Sequence, residues 1–210
     1  MCGRYSLHSH PDVIALQFGL SSVPAFAPRY NIAPAASVLI VRTGGAALAR
    51  WQLGGKYHNL RADTVTQKPS WRARYRNQRC LVPASGFYEW KPLARGKQPY
   101  YIRPARDEVF AFAGLWDAAG GAESSAVITT EPNGVVAQIH DRMPVIVAPA
   151  DYSRWLQGDE DLLRPAPEDS VIAYPVSNAV NSSALDSENL IQPLPSGVEP
   201  QGITRDLFGH

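Results

Sequence analysis

The sequence has few cysteines and no long hydrophobic run, and both absences exclude classes of protein. Cys2 and Cys80 are too few for a disulfide framework, which favours a reducing compartment. The longest aliphatic run, residues 38–41, is far shorter than the ~20 residues that span a bilayer. No segment with the pattern of a secretory signal follows Met1. We therefore expect a cytoplasmic protein without a membrane partner.

The sequence also lacks the residue clusters that bind metals and nucleotides. Its five histidines are scattered, and it contains neither Cys-x-x-Cys nor His-Glu-x-x-His. It contains no Walker-type or dinucleotide-binding glycine motif. We therefore expect no metal site and no cofactor.

Many short structural elements are predicted instead. The 210 residues suit one domain, and 18 prolines with 16 glycines favour short elements joined by turns. Hydrophobic periodicity and turn residues predict helices at 11–18, 69–78, 132–139 and 151–157, and strands at 1–5, 37–42, 46–53, 79–83, 86–91, 99–103, 109–117, 125–130, 145–148 and 171–174. We expect one α+β domain at 1–193, mainly antiparallel β-sheet flanked by short helices, and a frayed tail at 194–210.

The charge is unevenly distributed along the chain. Residues 1–80 contain 11 basic and 2 acidic residues, whereas residues 81–210 contain 9 and 17, so the two parts carry +9 and −8. This asymmetry indicates an electropositive face for an anionic partner, or two halves that neutralise each other in the fold.

The segment 56–79 concentrates the positive charge. Seven basic residues and one acid give it a net charge of +6, and Tyr57, Trp71 and Tyr75 are interleaved with them. Cations for phosphates beside aromatic rings for bases are typical of single-stranded nucleic acid binding, with Trp71, Arg72 and Arg74 as candidates. A solvated basic helix face is the alternative.

Cys2 has chemistry that an internal cysteine lacks. If Met1 is removed, one carbon carries both an α-amine and a thiol, and both groups titrate within about two units of neutral pH. Such an aminothiol can attack a carbonyl through sulfur, or condense with an aldehyde to an imine that the thiol closes into a thiazolidine. The alternative is an incidental small residue near a chain end.

Three further polar positions are candidates for a site. Glu89 lies in an otherwise apolar, aromatic strand, where desolvation would raise the pKa of its carboxyl towards values useful for proton transfer. An edge position facing water is equally compatible with the pattern. His140 precedes Asp141 and Arg142, and is either catalytic or structural. Asn59, Arg61 and Asp63 alternate along the chain, so one polar row could face a site.

Taken in order, six motifs resemble those of the SRAP (SOS response-associated peptidase) family of abasic-site-processing proteins. They are Met1-Cys2-Gly3-Arg4-Tyr5, Arg29-Tyr30-Asn31-Ile32-Ala33-Pro34, Asn59-Leu60-Arg61-Ala62-Asp63-Thr64, Arg79-Cys80-Leu81-Val82-Pro83-Ala84, Gly86-Phe87-Tyr88-Glu89-Trp90 and His140-Asp141-Arg142-Met143-Pro144. The resemblance covers roughly residues 2–193. It implies a barrel-like sheet and a sensor that traps abasic sites in single-stranded DNA, nucleoid-associated if the source is bacterial.

The resemblance also implies roles for individual residues. Cys2 would be the nucleophile that crosslinks the abasic aldehyde as a thiazolidine, after a thiol autopeptidase step removes Met1. Asn59 would orient the amine, Glu89 would shuttle protons and His140 would assist opening of the sugar, a lyase-like chemistry. Arg4, Arg61 and Arg142 would bind phosphates. We expect a monomer whose partner is abasic single-stranded DNA.

Two departures from the family pattern affect the DNA-binding surface. The segment 51–58 is shorter than the family's and lacks its Pro-x-Trp, which leaves Tyr57 or His58 as substitutes. Ser182-Ser183 replaces a pair of a basic residue and Asn near the C-terminus.

Two other functions remain compatible with parts of the sequence. Glutamine amidotransferases also begin Met-Cys-Gly, so an N-terminal-cysteine amidohydrolase is one rival. A module that binds single-stranded DNA without a covalent bond is the other.

Overall fold

Thirteen β-strands and five short α-helices form the part of the chain that the structure, a computed structural model, describes: residues 2–118, 121–159 and 161–195. The helices are α1 (Pro11–Phe18), α2 (Ala62–Val65), α3 (Pro69–Asn77), α4 (Gly134–Ala137) and α5 (Tyr152–Gln157). The strands are β1 (Tyr5–Leu7), β2 (Arg29–Ile32), β3 (Ser37–Arg42), β4 (Gly45–Arg50), β5 (Asn59–Arg61), β6 (Arg79–Ala84), β7 (Gly86–Pro92), β8 (Lys97–Pro104), β9 (Phe110–Asp117), β10 (Ser124–Thr130), β11 (Met143–Pro144), β12 (Ile146–Val147) and β13 (Val171–Pro175).

Five of these strands close into a barrel. β3 pairs antiparallel with β4 and β6, β6 pairs with β9, and β9 pairs with β10. The ring closes where β10 runs parallel to β4, with Ser124 opposite Arg50. β5 and β11 extend the sheet from β10, and β12 extends it from β9. Because each barrel strand has a neighbour on both sides, the barrel is a firm frame for the segments attached to it.

A second antiparallel sheet, in the order β13-β8-β7-β1-β2, packs against the barrel. The two faces of β7 have different environments. Phe87 packs on Phe112 of the barrel, with ring centroids 5.8 Å apart, whereas Tyr88 packs on Tyr101 in a separate outer cluster. Since side chains alternate along a strand, Glu89 faces the same inner side as Phe87.

The predicted fold class is confirmed, and most elements lie where the sequence patterns placed them. α1 has its predicted bounds: the His10 side chain accepts a hydrogen bond from the Asp12 N–H, and Gly19 ends the helix with φ 63°. α3 ends one residue before its predicted end. No helix in the described ranges is long and apolar enough to cross a membrane.

The predicted strand at 1–5 was wrong in its extent, since β1 begins only at Tyr5. The main chain before Tyr5 is held by other hydrogen bonds. The Cys2 carbonyl accepts one from the Asn59 side chain, and the Arg4 carbonyl accepts one from the Tyr88 N–H. At Cys2, a hydrogen bond from the Asn59 side chain thus takes the place of the strand pairing that the alternating sequence pattern predicted.

Two other elements are shorter than predicted. The helix at 132–139 is reduced to α4, where the Asn133 side chain caps the Val136 N–H. The strand at 145–148 is reduced to β12, Ile146–Val147, because Val145 instead bridges two strands, donating to the Ile128 carbonyl and accepting from the Ala113 N–H. Of the predicted tail at 194–210, residues 196–210 lie outside the described ranges.

Arg79, at the start of β6, is a buried cation rather than part of an open basic face. Its guanidinium lies 4.1 Å from the ring centroid of Tyr75 and 4.4 Å from that of Trp155. It donates hydrogen bonds to four main-chain carbonyl groups near the ends of α3 and α5, those of Tyr75, Trp155, Gly158 and Asp159. These contacts offset the cost of removing the charge from water, so Arg79 fastens both helices to the barrel.

We expect Arg79→Ala to lower the free energy of unfolding by about 3 kcal/mol or more, because the buried carbonyl groups lose their donor. Urea denaturation followed by tryptophan fluorescence measures this change. Arg76→Ala, on the exposed side of α3, is the matched control and is expected to stay within about 0.5 kcal/mol of the wild type. An Arg79→Ala protein as stable as the wild type would contradict the structural role.

Candidate active site

Cys2 is enclosed between the barrel and the second sheet. Its side chain is 1% exposed and belongs to the central core. The Asn59 side chain donates a hydrogen bond of 2.6 Å from Nδ2 to the Cys2 carbonyl. β5 holds Asn59 opposite Val127 of β10 in a parallel register. The hydrogen bond therefore fastens the beginning of the described chain to the barrel.

The surroundings of Cys2 keep its thiol protonated and leave one acceptor vacant. Burial raises the pKa of the thiol well above its ordinary value, and its sulfur lies 3.9 Å from the Arg4 carbonyl. Asn59 Oδ1 is buried and accepts no hydrogen bond from any residue that the structure describes. An N–H group near Cys2 would therefore find an acceptor already in place.

Glu89 is a carboxyl group poised between its two protonation states. It is 1% exposed on the inner face of β7, and burial raises its pKa to about 7. The aromatic surroundings read from the sequence have the expected effect, and the alternative of an edge position facing water is wrong. A carboxyl with this pKa can both give and take a proton near neutral pH.

His140 lies beside Glu89, in the turn that follows α4. Its Nδ1 accepts a hydrogen bond of 3.1 Å from the Arg142 N–H, which assigns the ring proton to Nε2 in the neutral form. Nε2 is 3.7 Å from Glu89 Oε2. Partial burial lowers the pKa of His140, so the imidazole is neutral at pH 7 despite its 3.0 Å contact with Asp141. In this tautomer the Nε2–H group can donate a hydrogen bond to Glu89 Oε2 after a small movement.

Arg4 is linked to the C-terminal segment of the described chain. Its Nη1 donates to Asn31 Oδ1 at 2.7 Å and to the Val180 carbonyl at 3.0 Å, and its Nη2 donates to the Asn181 carbonyl at 3.4 Å. Asn31 is itself 1% exposed. The arginine thus keeps part of its donor set for a ligand while its orientation is fixed from two sides.

Asn31 was not singled out in the sequence analysis, although its side chain connects β2 to the C-terminal segment at residues 180–185. Its Nδ2 lies within hydrogen-bond distance of three carbonyl groups of the C-terminal segment, those of Val180, Ser182 and Leu185. Ser182 and Ser183, which depart from the family pattern, therefore lie in a segment that contacts the Asn31 side chain through main-chain carbonyl groups. The motif at residues 29–34, which contains Asn31, was the available sequence signal.

Arg61, the last residue of β5, and Arg142, the residue before β11, lie next to β10 at the rim of the site. Arg61 forms an ion pair with Asp63. Arg142 Nη2 donates hydrogen bonds to the Thr129 carbonyl, at 2.6 Å, and to Thr129 Oγ1, at 3.0 Å. Thr129 is opposite Arg61 in the β5–β10 register. The two predicted phosphate ligands are therefore brought together, with Thr129 as a partner that the sequence did not indicate.

The predicted aromatic and basic candidates on α3 form a separate surface. Trp71 packs edge-on against Tyr57, with ring centroids 5.0 Å apart, and Arg74 lies 5.9 Å from the Trp71 centroid. Arg74 also pairs with Asp117 at 2.6 Å, whereas Arg72 is exposed. α3 packs against α2, β6 and β9, so this surface adjoins the barrel.

The shortened segment 51–58 is a tight turn that supplies Tyr57 to this surface. Gly54 and Gly55 have φ of 59° and 71°, a region that favours glycine, and Leu53 and Tyr57 form an isolated bridge. Tyr57 is 39% exposed, and Lys56 lies 5.3 Å from its ring centroid. Tyr57, one of the two substitutes named above, therefore lies at the surface with its ring perpendicular to that of Trp71.

The chain belongs to the SRAP family, described as SOS response associated peptidase, whose pattern matches residues 1–183. It is 36% identical over 222 residues to the abasic site processing protein YoqW of Bacillus subtilis, covering 91% of this chain and 99% of that protein. It is 34% identical over 158 residues to the abasic site processing protein HMCES of Xenopus tropicalis, covering 61% of this chain and 47% of that protein.

Solved structures show the same fold. An X-ray structure of a protein from Bacteroides thetaiotaomicron aligns with a TM-score of 0.81 at 24% identity, covering 91% of this chain and 99% of that chain. A phage-related protein from Bordetella bronchiseptica aligns with a TM-score of 0.69 at 29% identity, covering 83% and 94% of the two chains. The barrel with its second sheet is thus the architecture of the family.

We expect the raised pKa of Glu89 to make stability fall as pH rises. The folded protein holds the Glu89 proton up to about pH 7, whereas an unfolded glutamate loses it near pH 4.5. Between pH 4.5 and 8 the wild type should therefore lose on the order of 2–3 kcal/mol of unfolding free energy relative to Glu89→Gln. Urea denaturation of both proteins across this range measures the difference, and an offset that does not change with pH would contradict it.

Proposed function

We propose that this protein processes abasic sites in single-stranded DNA by forming a covalent bond between Cys2 and the ring-opened sugar. The observation that carries the proposal is the fixed environment of Cys2: Asn59 holds its carbonyl, and Glu89 and His140 lie together in the same site. Glu89 is also within electrostatic range of the Cys2 thiol. The names of the curated relatives support the choice of substrate.

The proposed reaction joins an aldehyde and an aminothiol with loss of one water. The α-amine of Cys2 attacks C1′ of the open sugar, and the resulting carbinolamine loses its hydroxyl as water to give an imine. The thiol sulfur then attacks the imine carbon, and the thiol proton ends on nitrogen. The product is a thiazolidine that links the protein to the DNA strand.

Each step needs a proton donor or acceptor close to Cys2. Glu89 can protonate the departing hydroxyl and later accept the thiol proton, because its pKa of about 7 makes both forms available. For opening of the closed sugar, His140 in its imidazolium form can deliver the Nε2 proton to the ring oxygen while the Glu89 carboxylate takes the proton of the C1′ hydroxyl. Asn59 Oδ1 is the acceptor that would orient the α-amine.

The α-amine of Cys2 becomes free only when the Met1–Cys2 peptide bond is hydrolysed. The family description names a peptidase, and we propose that this hydrolysis, in which water supplies the new termini, is an autopeptidase step of the same site. Cys2 is then the nucleophile of both reactions.

The DNA strand would follow the cations around the site. Arg4, Arg61 and Arg142 are the proposed phosphate ligands, and the Tyr57–Trp71 pair with Arg72 and Arg74 would continue the path across the barrel. Stacking of unpaired bases on aromatic rings favours a single strand over a duplex.

The proposal predicts an adduct that survives denaturation and depends on Cys2. The protein, with removal of Met1 verified by intact mass, is incubated with an oligonucleotide carrying one abasic site, made by excising uracil, and run on a denaturing gel. Wild type and Cys80→Ala should give the shifted band with yields within about twofold, because Cys80 is buried inside the barrel. Cys2→Ala should give none while still binding the strand reversibly.

Two results would contradict the proposal. A wild-type protein with a free Cys2 terminus that gives no adduct but binds the strand would be a non-covalent binding module. The same protein without an adduct that releases ammonia from glutamine would be an amidohydrolase. An undamaged oligonucleotide is the control for non-specific crosslinking.

A further inference from the structure

One of the two rim arginines, Arg61, is already engaged by a carboxylate. Arg61 donates from Nε to Asp63 Oδ1 at 3.0 Å and from Nη2 to Asp63 Oδ2 at 2.5 Å. Thr64 Oγ1 donates to the same Oδ1 at 3.0 Å. The Arg61 and Asp63 side chains are 56% and 54% exposed, so this fork-like pair lies at the surface where a DNA strand would arrive.

More negative charge surrounds this pair. Arg142 is within electrostatic range of Asp63, Glu131 and Asp141, and Arg61 is within range of Asp141. The hydrogen bonds from Arg61 and Thr64 hold the pKa of Asp63 at about 2, so it is charged at every physiological pH. Two cations thus face three carboxylates, and this part of the rim carries no excess of positive charge.

The location of the cluster ties it to the site. Arg61 follows Asn59 by two residues on β5, and Arg142 follows His140 by two residues. Thr129 joins the two, since it accepts from Arg142 and pairs with Arg61 in the sheet. A strand that presents its sugar to Cys2 would have to pass these side chains.

We propose that Asp63 occupies on Arg61 the position that a DNA phosphate would take, and so weakens the reversible binding of undamaged single-stranded DNA. The inference rests on the function proposed above. A carboxylate and a phosphate present similar paired oxygens to a guanidinium, so the two compete for the same donors. An exposed ion pair is also weak enough to be exchanged.

Reversible binding and covalent binding would then differ in what they select. Asp63 reduces the number of counterions that Arg61 can release when it meets a strand, which lowers affinity for every sequence alike. Retention on DNA then depends on the bond at Cys2, which only an abasic aldehyde allows. Asp63 would therefore set selectivity against intact DNA without touching the reacting atoms.

The test is the salt dependence of binding to an undamaged fluorescent oligonucleotide, measured by anisotropy for wild type and Asp63→Asn. The substitution keeps the shape of the side chain, and its amide oxygen can still accept from Thr64. We expect Asp63→Asn to bind about three- to tenfold more tightly at low salt, with a plot of log affinity against log salt steeper by up to about 0.7. The gain should vanish at high salt.

Two variants serve as controls. Asp63→Glu keeps the charge and should restore the wild-type slope. Asp169→Asn removes a carboxylate from another exposed pair, that with Arg106, and should leave both affinity and slope unchanged. Equal gains in Asp63→Asn and Asp169→Asn would show an effect of net charge alone and overturn the inference.

Other results would also overturn it. Unchanged binding by Asp63→Asn would show that Asp63 does not compete, and weaker binding would show that it positions Arg61 for the strand. Failure of both proteins to bind undamaged DNA at low salt would refute it as well. The adduct assay with abasic DNA tests the proposed function separately, because a wild-type adduct can form whatever the outcome at Asp63.

Discussion

The hydrogen bond from Asn59 to the Cys2 carbonyl is the contact on which the rest of the site depends. It holds Cys2 against a strand whose register is fixed by β10, and so places the thiol within electrostatic range of Glu89. The closed barrel makes this anchor rigid, since β10 has partners on both sides. Although Cys2 lies near the start of the chain, its position is therefore as firmly fixed as that of a residue in the middle of a sheet.

Burial supplies the chemistry of the site as well as its shape. The same desolvation raises the pKa of the Cys2 thiol and of the Glu89 carboxyl and lowers that of His140, so all three groups are held away from their charged forms. Charge is left to the rim, where Arg61 and Asp63 remain half exposed. A dry interior and a hydrated, charged border are thus separated by a few residues of one strand.

The sequence predicted what local rules determine and missed what tertiary contacts determine. Pro11 and Gly19 bracket α1 as their backbone preferences require, and the aromatic neighbours of Glu89 indicated its burial. Arg79 looked like one more cation of a basic segment, because its enclosure depends on α5, far away in sequence. Asn31 was missed for the same reason, since its partners lie about 150 residues downstream.

The contact of Arg4 and Asn31 with residues 180–185 has a consequence for biosynthesis. At about 5–20 residues per second, a ribosome needs roughly 7 to 35 seconds to make the chain between these partners. During that interval the N-terminus has left the ribosome while its pocket is still incomplete. Any reaction that needs the finished pocket can therefore begin only after synthesis is nearly complete.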